Sequence, residues 1–452
     1  MPENKNFYRN FFSIYAALVL QNVITISVNL ADNMMLGAYS ETSLAGVAAV
    51  NQIQFIFQQI LTALGEGVVI ICSQYWGKRQ TEPMKRIAAA AMRLGLIVAV
   101  ILFLAVSVFP YQAIGIFTTD MPIIQEGVDY LRIIRFTYLF FAVSQLLLAT
   151  LRSTEIVKIA FYLSVMTFFV NCGINYLLIY GKFGAPRMGT AGAAVGTLAA
   201  RILECCILIV YMAKREKNLK IRLRDYLRFD RLLLKDYIRI TGPMVLVQGL
   251  WGVNTALQTA ILGHMTSAAI AANSAASTIF MLVKSTAVGA ASTASVIIGK
   301  TVGTGDIGRV KSYAGKMQRL FLVIGMISGI ILFFIRIPIL SLYDLSASTK
   351  EMANTFLIIL SVVCVGMSYQ MPTNNGIIRG GGNAMFVVRM DLVSIWMIVI
   401  PLSLVMAFVV KASPAVVVCC LNADQIFKCV PAFLESHYGN WIRRLTRDEA
   451  ES

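Results

Sequence analysis

The chain has 452 residues, 58% hydrophobic and only 14% charged, with a formal net charge of +16. A soluble domain carries roughly 25% charged residues, so most of the surface of this chain has to face lipid. An excess of Lys and Arg can be the footprint of a phosphate-binding surface, but its placement on one side of the alternately threaded spans argues against a nucleic-acid partner.

Uninterrupted apolar runs of about 20 residues mark helices long enough to cross a bilayer. In chain order they predict twelve spans, at residues 11–36, 43–76, 87–110, 127–150, 158–181, 190–212, 237–263, 268–299, 316–341, 351–378, 388–410 and 413–436. Four segments follow: an N-terminal lobe of six helices (1–213), a cytoplasmic linker (214–236), a second six-helix lobe (237–436) and a cytoplasmic tail (437–452). The expected fold class is all-α, a polytopic membrane protein of twelve transmembrane helices in two pseudo-symmetric lobes.

Charge inside a bilayer is costly, so an ionisable residue within a span is a functional candidate. Span one carries Asp32 near its far end, beside Asn33. Poorly hydrated surroundings disfavour the charged form of a carboxylate, which would let a proton gradient load and unload it; a helix-end residue reaching for headgroups is the alternative. Span two carries Glu66, and span four Tyr130. In span five Asn171 and Asn175 are four apart and share a helix face, fit either to line a site or to hold helices together. Span six adds Thr197, and beyond it Arg201 with Glu204. The stretch Lys214 to Lys235 holds nine Lys or Arg, a solvated linker or a surface for anionic headgroups. Span seven offers Gln258 and span eight Lys284. Asp391 follows Arg389 and Asp424 precedes Lys428, spacings that allow local pairing.

Threading the spans alternately puts most Lys and Arg on one side, and only Lys182, Arg187, Arg336, Lys350 and Lys411 in loops on the other. The positive-inside rule then places both termini in the cytoplasm of a cell-membrane protein. No small-residue cleavage site follows Phe11 to Leu20, so a removable signal is not expected. Eight cysteines without a CxxC pair and two histidines give no metal or disulfide framework. Arg379-Gly-Gly-Gly-Asn383 lacks the Lys-Ser/Thr of a nucleotide loop, and no His or Cys has an orienting partner in view, so neither ATP coupling nor an enzyme is expected. No cofactor is implied beyond a coupling ion, H+ or Na+, and nothing demands a partner chain.

The two halves superimpose in sequence with a shift of 226 residues and no gap. Leu36 and Gly37 fall on Leu262 and Gly263, Gly77 on Gly303, Lys85 on Lys311, Arg93 on Arg319, and Tyr130 on Phe356. Six spans per half give parallel repeats with a cavity between them, a transporter plan. Asp32 has Gln258 as its counterpart, which cannot titrate; the titratable group belongs to one half only.

Several blocks carry a resemblance over nearly the whole chain: Asp32 to Gly37 with Ala45, Gln74-Tyr-Trp-Gly77, Asn171 to Asn175 followed by Gly181 to Gly192, Ile378 to Asn383, and Gly439-Asn-Trp441. Together they resemble the multidrug and toxic compound extrusion (MATE) transporters. The resemblance implies two six-helix lobes forming a V and exchange of H+ or Na+ for small organic, often cationic, compounds by alternating access. It implies a substrate and cation site of Asp32, Tyr130, Asn171, Asn175 and Thr197, with Asn33, Glu66, Gln258 and Lys284 as further candidates from the residues themselves. Asn175 stands where many members have Asp, and Ala17 where a first-helix proline is common, with Pro243 as its repeat equivalent. The second half offers Gln248, Gln258, Gln370 and Asn374 where some members have sodium-site acids, which favours protons. A related lipid-linked oligosaccharide or lipid flippase would want a positively charged cavity, against Asp32 and Glu66.

Overall fold

A computed structural model of the chain describes residues 2–221, 225–226, 230–341 and 346–447. Among these the helices are α1 (Pro2–Tyr39), α2 (Glu41–Gly77), α3 (Thr81–Val108), α4 (Pro110–Gly115), α5 (Met121–Ile134), α6 (Thr137–Ser153), α7 (Lys158–Tyr180), α8 (Thr190–Lys214), α9 (Arg231–Met265), α10 (Ser267–Gly303), α11 (Ile307–Leu340), α12 (Ala347–Met371), α13 (Ala384–Asp391), α14 (Ile400–Leu404), α15 (Pro414–Leu421), α16 (Asp424–Phe427) and α17 (Cys429–Tyr438). Wide π turns at Pro372–Ile378, Leu392–Val399 and Val405–Val409 carry the backbone on from α12, α13 and α14. Their one-residue-wider loops sit at or near Pro372 and Pro401, which lack the N–H that a regular ladder needs. Eleven helical runs are long and apolar enough to cross a membrane, and α5 with α6 makes a twelfth. The chain is an all-α polytopic membrane protein.

The fourth span, expected as one helix over 127–150, is instead bent by 54° between α5 and α6. The ladder tightens there, with the Phe136 N–H bonded to the Ile133 carbonyl at 3.3 Å. The Arg135 guanidinium lies over the rings of Phe103 and Phe136, 5.6 and 5.2 Å from their centroids. No proline or glycine marks the break, so apolar periodicity gave no sign of it.

Helix starts follow local chemistry. The side chains of Thr266, Asp306 and Ser346 each accept from the backbone N–H three residues on, satisfying one of the orphan donors of the first turn. α7 ends at Gly181, whose φ of 67° is left-handed, and an added Cβ there would lie 2.9 Å from the Cβ of Arg187. Only glycine makes that turn without strain.

The chain divides into two compact units. One comprises Leu20–Cys72 and Arg79–Thr241; the other comprises Met1–Val19, Ser73–Lys78 and Gly242–Ser452. Of the basic linker expected at 214–236, residues 222–224 and 227–229 lie outside the described residues, as do 448–452 of the expected tail.

Within the first unit, the hydroxyls of Ser43 and Thr190 both donate to Glu126, which ties the starts of α2 and α8 to α5. Gly46 and Gly127 let α2 and α5 touch through backbone: a Cβ on Gly46 would lie 2.7 Å from the Gly127 nitrogen.

Within the second unit, three of the sequence blocks meet. Gln74 donates to the Arg443 carbonyl at 3.1 Å and accepts from the Leu445 N–H at 2.8 Å, while Tyr75 accepts from the Arg447 N–H at 3.1 Å. Trp441 is 1% exposed, and its ring fills the space that a side chain at Gly381 would need. The Arg443 N–H donates to the Gly381 carbonyl at 2.8 Å. The post-α17 strand of chain is thus a strap over the end of α2 and the glycine run 380–382. Gly77 and Gly303, equivalent under the 226-residue shift, touch each other: each Cβ would fall 2.9 to 3.0 Å from the other's Cα.

Loss of the Trp441 indole should cost about 3–5 kcal/mol, the usual range for emptying an aromatic site in a core. Trp441→Ala should therefore melt well below the parent in detergent thermal-shift measurements, whereas Tyr438→Ala, at an 80% exposed position, should melt with the parent.

Candidate functional site

α1 brings Asp32 against α7. The Asn175 amide donates to Asp32 Oδ1 at 2.7 Å, and its Nδ2 also donates to Asn171 Oδ1 at 3.3 Å. Asn171 in turn donates to Thr197 Oγ1 at 3.1 Å, and the Thr197 hydroxyl donates to the Ala193 carbonyl at 3.1 Å. Asn171 and Asn175 are 2% and 0% exposed, and Asp32 is half-buried. Tyr130 is buried beside them, interacting with Thr197 and within electrostatic range of Asp32. Five residues expected at the site from four separate spans therefore form one connected polar cluster inside the first unit.

The local fold explains the placement. One helical turn separates Asn171 from Asn175, so both face α8 and α1 together. α8 can come this close because of Gly192 and Gly196: a Cβ on Gly196 would lie 2.0 Å from Asn175 Oδ1, and one on Gly192 would lie 2.8 Å from the Leu178 backbone. Such small-residue stripes are how membrane helices bring backbones together. The Gly181 to Gly192 block backs onto the end of α1, with Arg187 over the Tyr39 ring at 5.1 Å and Gly189 against Tyr39. Tyr180 donates to the Met35 carbonyl at 2.9 Å, one turn beyond Asp32.

Two features govern what the cluster can do. Among the described residues no Lys or Arg nitrogen is in salt-bridge contact with Asp32; Arg201 acts on it only at a distance, being paired with Glu204 at 2.8 Å and stacked over Phe141. Asn175 Oδ1 is buried and has no hydrogen-bond partner. An amide can donate to a carboxylate or, turned over, accept from a carboxylic acid. Asn175 is therefore a partner for either protonation state of Asp32, where an aspartate in its place would repel the charged one.

The other candidates lie elsewhere. Asn33 is exposed on the neighbouring face of α1. Glu66 is in ion-pair contact with Arg152 at 2.9 Å, so its charge is neutralised within the helix packing. Gln258 and Lys284 belong to the second unit; Gln258 faces Asn254 at 3.5 Å, and Lys284 Nζ sits 4.7 Å from the Trp251 ring centroid. Asp391 does not pair with Arg389. It is Lys428, 3% exposed, that bridges Asp391 at 2.9 Å and Asp424 at 3.0 Å. Sequence reasoning missed Gly196, whose spacing from Gly192 was the available signal, and Arg152, which carried none.

The MatE family profile matches residues 17–177 and again 243–405. The chain belongs to the MatE family. The two matches begin 226 residues apart, the register of the internal repeat. Similar relatives include a probable multidrug resistance protein, YoeA, of Bacillus subtilis (24% identical over 89% of this chain and 88% of that one) and a probable multidrug resistance protein, NorM, of Thermotoga maritima (25% over 95% and 93%). Among solved structures, a MATE transporter in the straight conformation is similar in fold, with a TM-score of 0.86 over 94% of each chain at 17% identity. This MatE protein is a transporter, not an enzyme.

Because Gly196 makes the room that Asn175 occupies, Gly196→Val should remove most transport by this MatE protein while leaving membrane expression intact, as read by efflux from cells matched for protein level. Gly173→Ala, on the same α7 but with nothing within 4 Å of its added carbon, should transport as the parent does.

Proposed function

We propose that this MatE transporter exports organic compounds, lipophilic cations among them, in exchange for protons, with Asp32 as the group that alternates between proton and substrate. It acts as a monomer in the cell membrane with both termini cytoplasmic, a placement supported by the scarcity of Lys and Arg in the opposite loops. The names of the similar relatives, probable multidrug resistance proteins, support the substrate class.

The observation that carries the reading is the nature of Asp32's contacts. Glu66, Glu204, Asp391 and Asp424 each have a Lys or Arg nitrogen within 3.0 Å. Asp32 has amides instead. An acid locked to a cation stays ionised, because protonating it would strand a buried positive charge. An acid held by amides can change its protonation state without stranding anything. Proton and cationic substrate then compete for one carboxylate, and by linkage each lowers the affinity for the other. A proton arriving from outside releases the substrate there; release of that proton to the cytoplasm readies the carboxylate for the next one.

Asp32→Asn should abolish pH-gradient-driven efflux of a fluorescent organic cation from proteoliposomes, and dissipating the proton gradient should stop the parent protein while dissipating a sodium gradient should not. Efflux at the parent's rate by Asp32→Asn would remove Asp32 from the mechanism.

A further inference from the structure

The second unit holds a cation that the mechanism above does not use. Lys284 lies near the middle of α10, half-buried, with its ammonium 4.7 Å from the centre of the Trp251 indole. A lysine at that depth is expensive unless its charge is met. Among the described residues, no carboxylate is in salt-bridge contact with it and no acceptor takes a hydrogen bond from it. Asp424 is within electrostatic range, but its Oδ2 is already held by Lys428 at 3.0 Å and by Gln425 Nε2 at 2.9 Å. Lys428 also binds Asp391. Asp424 therefore acts on Lys284 only from a distance, and the three N–H donors of the ammonium are left for another partner.

The facing helix is built to match. Gln248, Trp251, Thr255 and Gln258 follow at intervals of three, four and three along α9, which puts them on one face. The other side of α9 presents Leu246 and Val253, 59% and 50% exposed, an apolar face suited to lipid. A polar and aromatic stripe at membrane depth belongs against protein or a wet cavity. A cation is a poor occupant of this stripe, since Lys284 already covers the indole and would repel it. An aromatic anion suits the stripe: its charged oxygens take the ammonium donors and its ring lies along Trp251.

We propose that Lys284 and Trp251, with Gln248 and Gln258, form a binding site for aromatic carboxylates in the second unit, extending the substrate range to organic acids and zwitterions. The mid-helix depth of Lys284 sets the ligand apart from a lipid headgroup, which stays at the interface.

The test is calorimetric titration of the purified, detergent-solubilised transporter with 2-naphthoate and with the uncharged 2-naphthamide. No ion gradient is present, so the outcome is independent of whether Asp32 couples transport to protons. The parent should bind naphthoate about tenfold or more tightly than the amide, as a charge-assisted contact requires. Lys284→Gln should lose that preference, Lys284→Arg should keep it, and Trp251→Leu should weaken both ligands together. Equal affinity of the parent for acid and amide would overturn the proposal, as would an undiminished preference in Lys284→Gln or no naphthoate binding at all. If Lys284→Gln fails to yield folded protein, the comparison of the two ligands on the parent and on Lys284→Arg decides.

Discussion

A bilayer offers no water to a buried polar group, so each one must be answered by the protein itself. Which kind of group answers each acid determines what that acid can do. In this chain Lys and Arg answer Glu66, Glu204, Asp391 and Asp424 at contact distance, and those pairs behave as fixed parts of the helix packing. Removing one partner of such a pair typically costs about 3–5 kcal/mol, because the other is left charged and buried. Asp32 alone among these five has no Lys or Arg at contact distance, and an amide holds it at 2.7 Å. The structure that surrounds it, from the two glycines of α8 to the Tyr180 bond onto α1, serves to hold that amide in place.

The two units divide the chemistry unequally. The first carries the amide-held carboxylate of Asp32 and a chain of neutral donors behind it. The second carries the charges around Lys428, together with the polar face of α9 and Lys284 of α10 beside it. Sequence already showed the asymmetry, since Gln258 stands at the repeat position of Asp32. Symmetry persists where packing and not chemistry is at stake: Gly77 and Gly303 are equivalent and lie in contact. A duplicated framework with a site developed in one copy accounts for both observations.

Much of the fold was legible from apolar run length, because lipid imposes a single length scale on every span. The bend at Arg135 was not, since it comes from a tightened ladder and from aromatic contacts with Phe103 that no local motif encodes. Helical spacing put Asn171 and Asn175 on one face, and the two side chains are hydrogen-bonded to each other and, through Asn171, to Thr197. The partners of the remaining charges were not legible. Asp391 has Arg389 two residues away in sequence yet pairs with Lys428, because residues two apart point to different sides of a helix and packing brings α16 alongside instead. The glycine and tryptophan blocks, read as family signatures, turn out to build a strap in the second unit with no part in the polar cluster.

The central claim is that proton and substrate exclude each other at one carboxylate. Proton release on substrate binding measures this directly: titrate the purified transporter with an organic cation by calorimetry in two buffers of different ionisation enthalpy, and take the difference in heat. The account predicts that the parent releases a proton as the cation binds and that Asp32→Asn releases none. Proton release that persists in Asp32→Asn, or none from the parent at any pH where the cation binds, would contradict it.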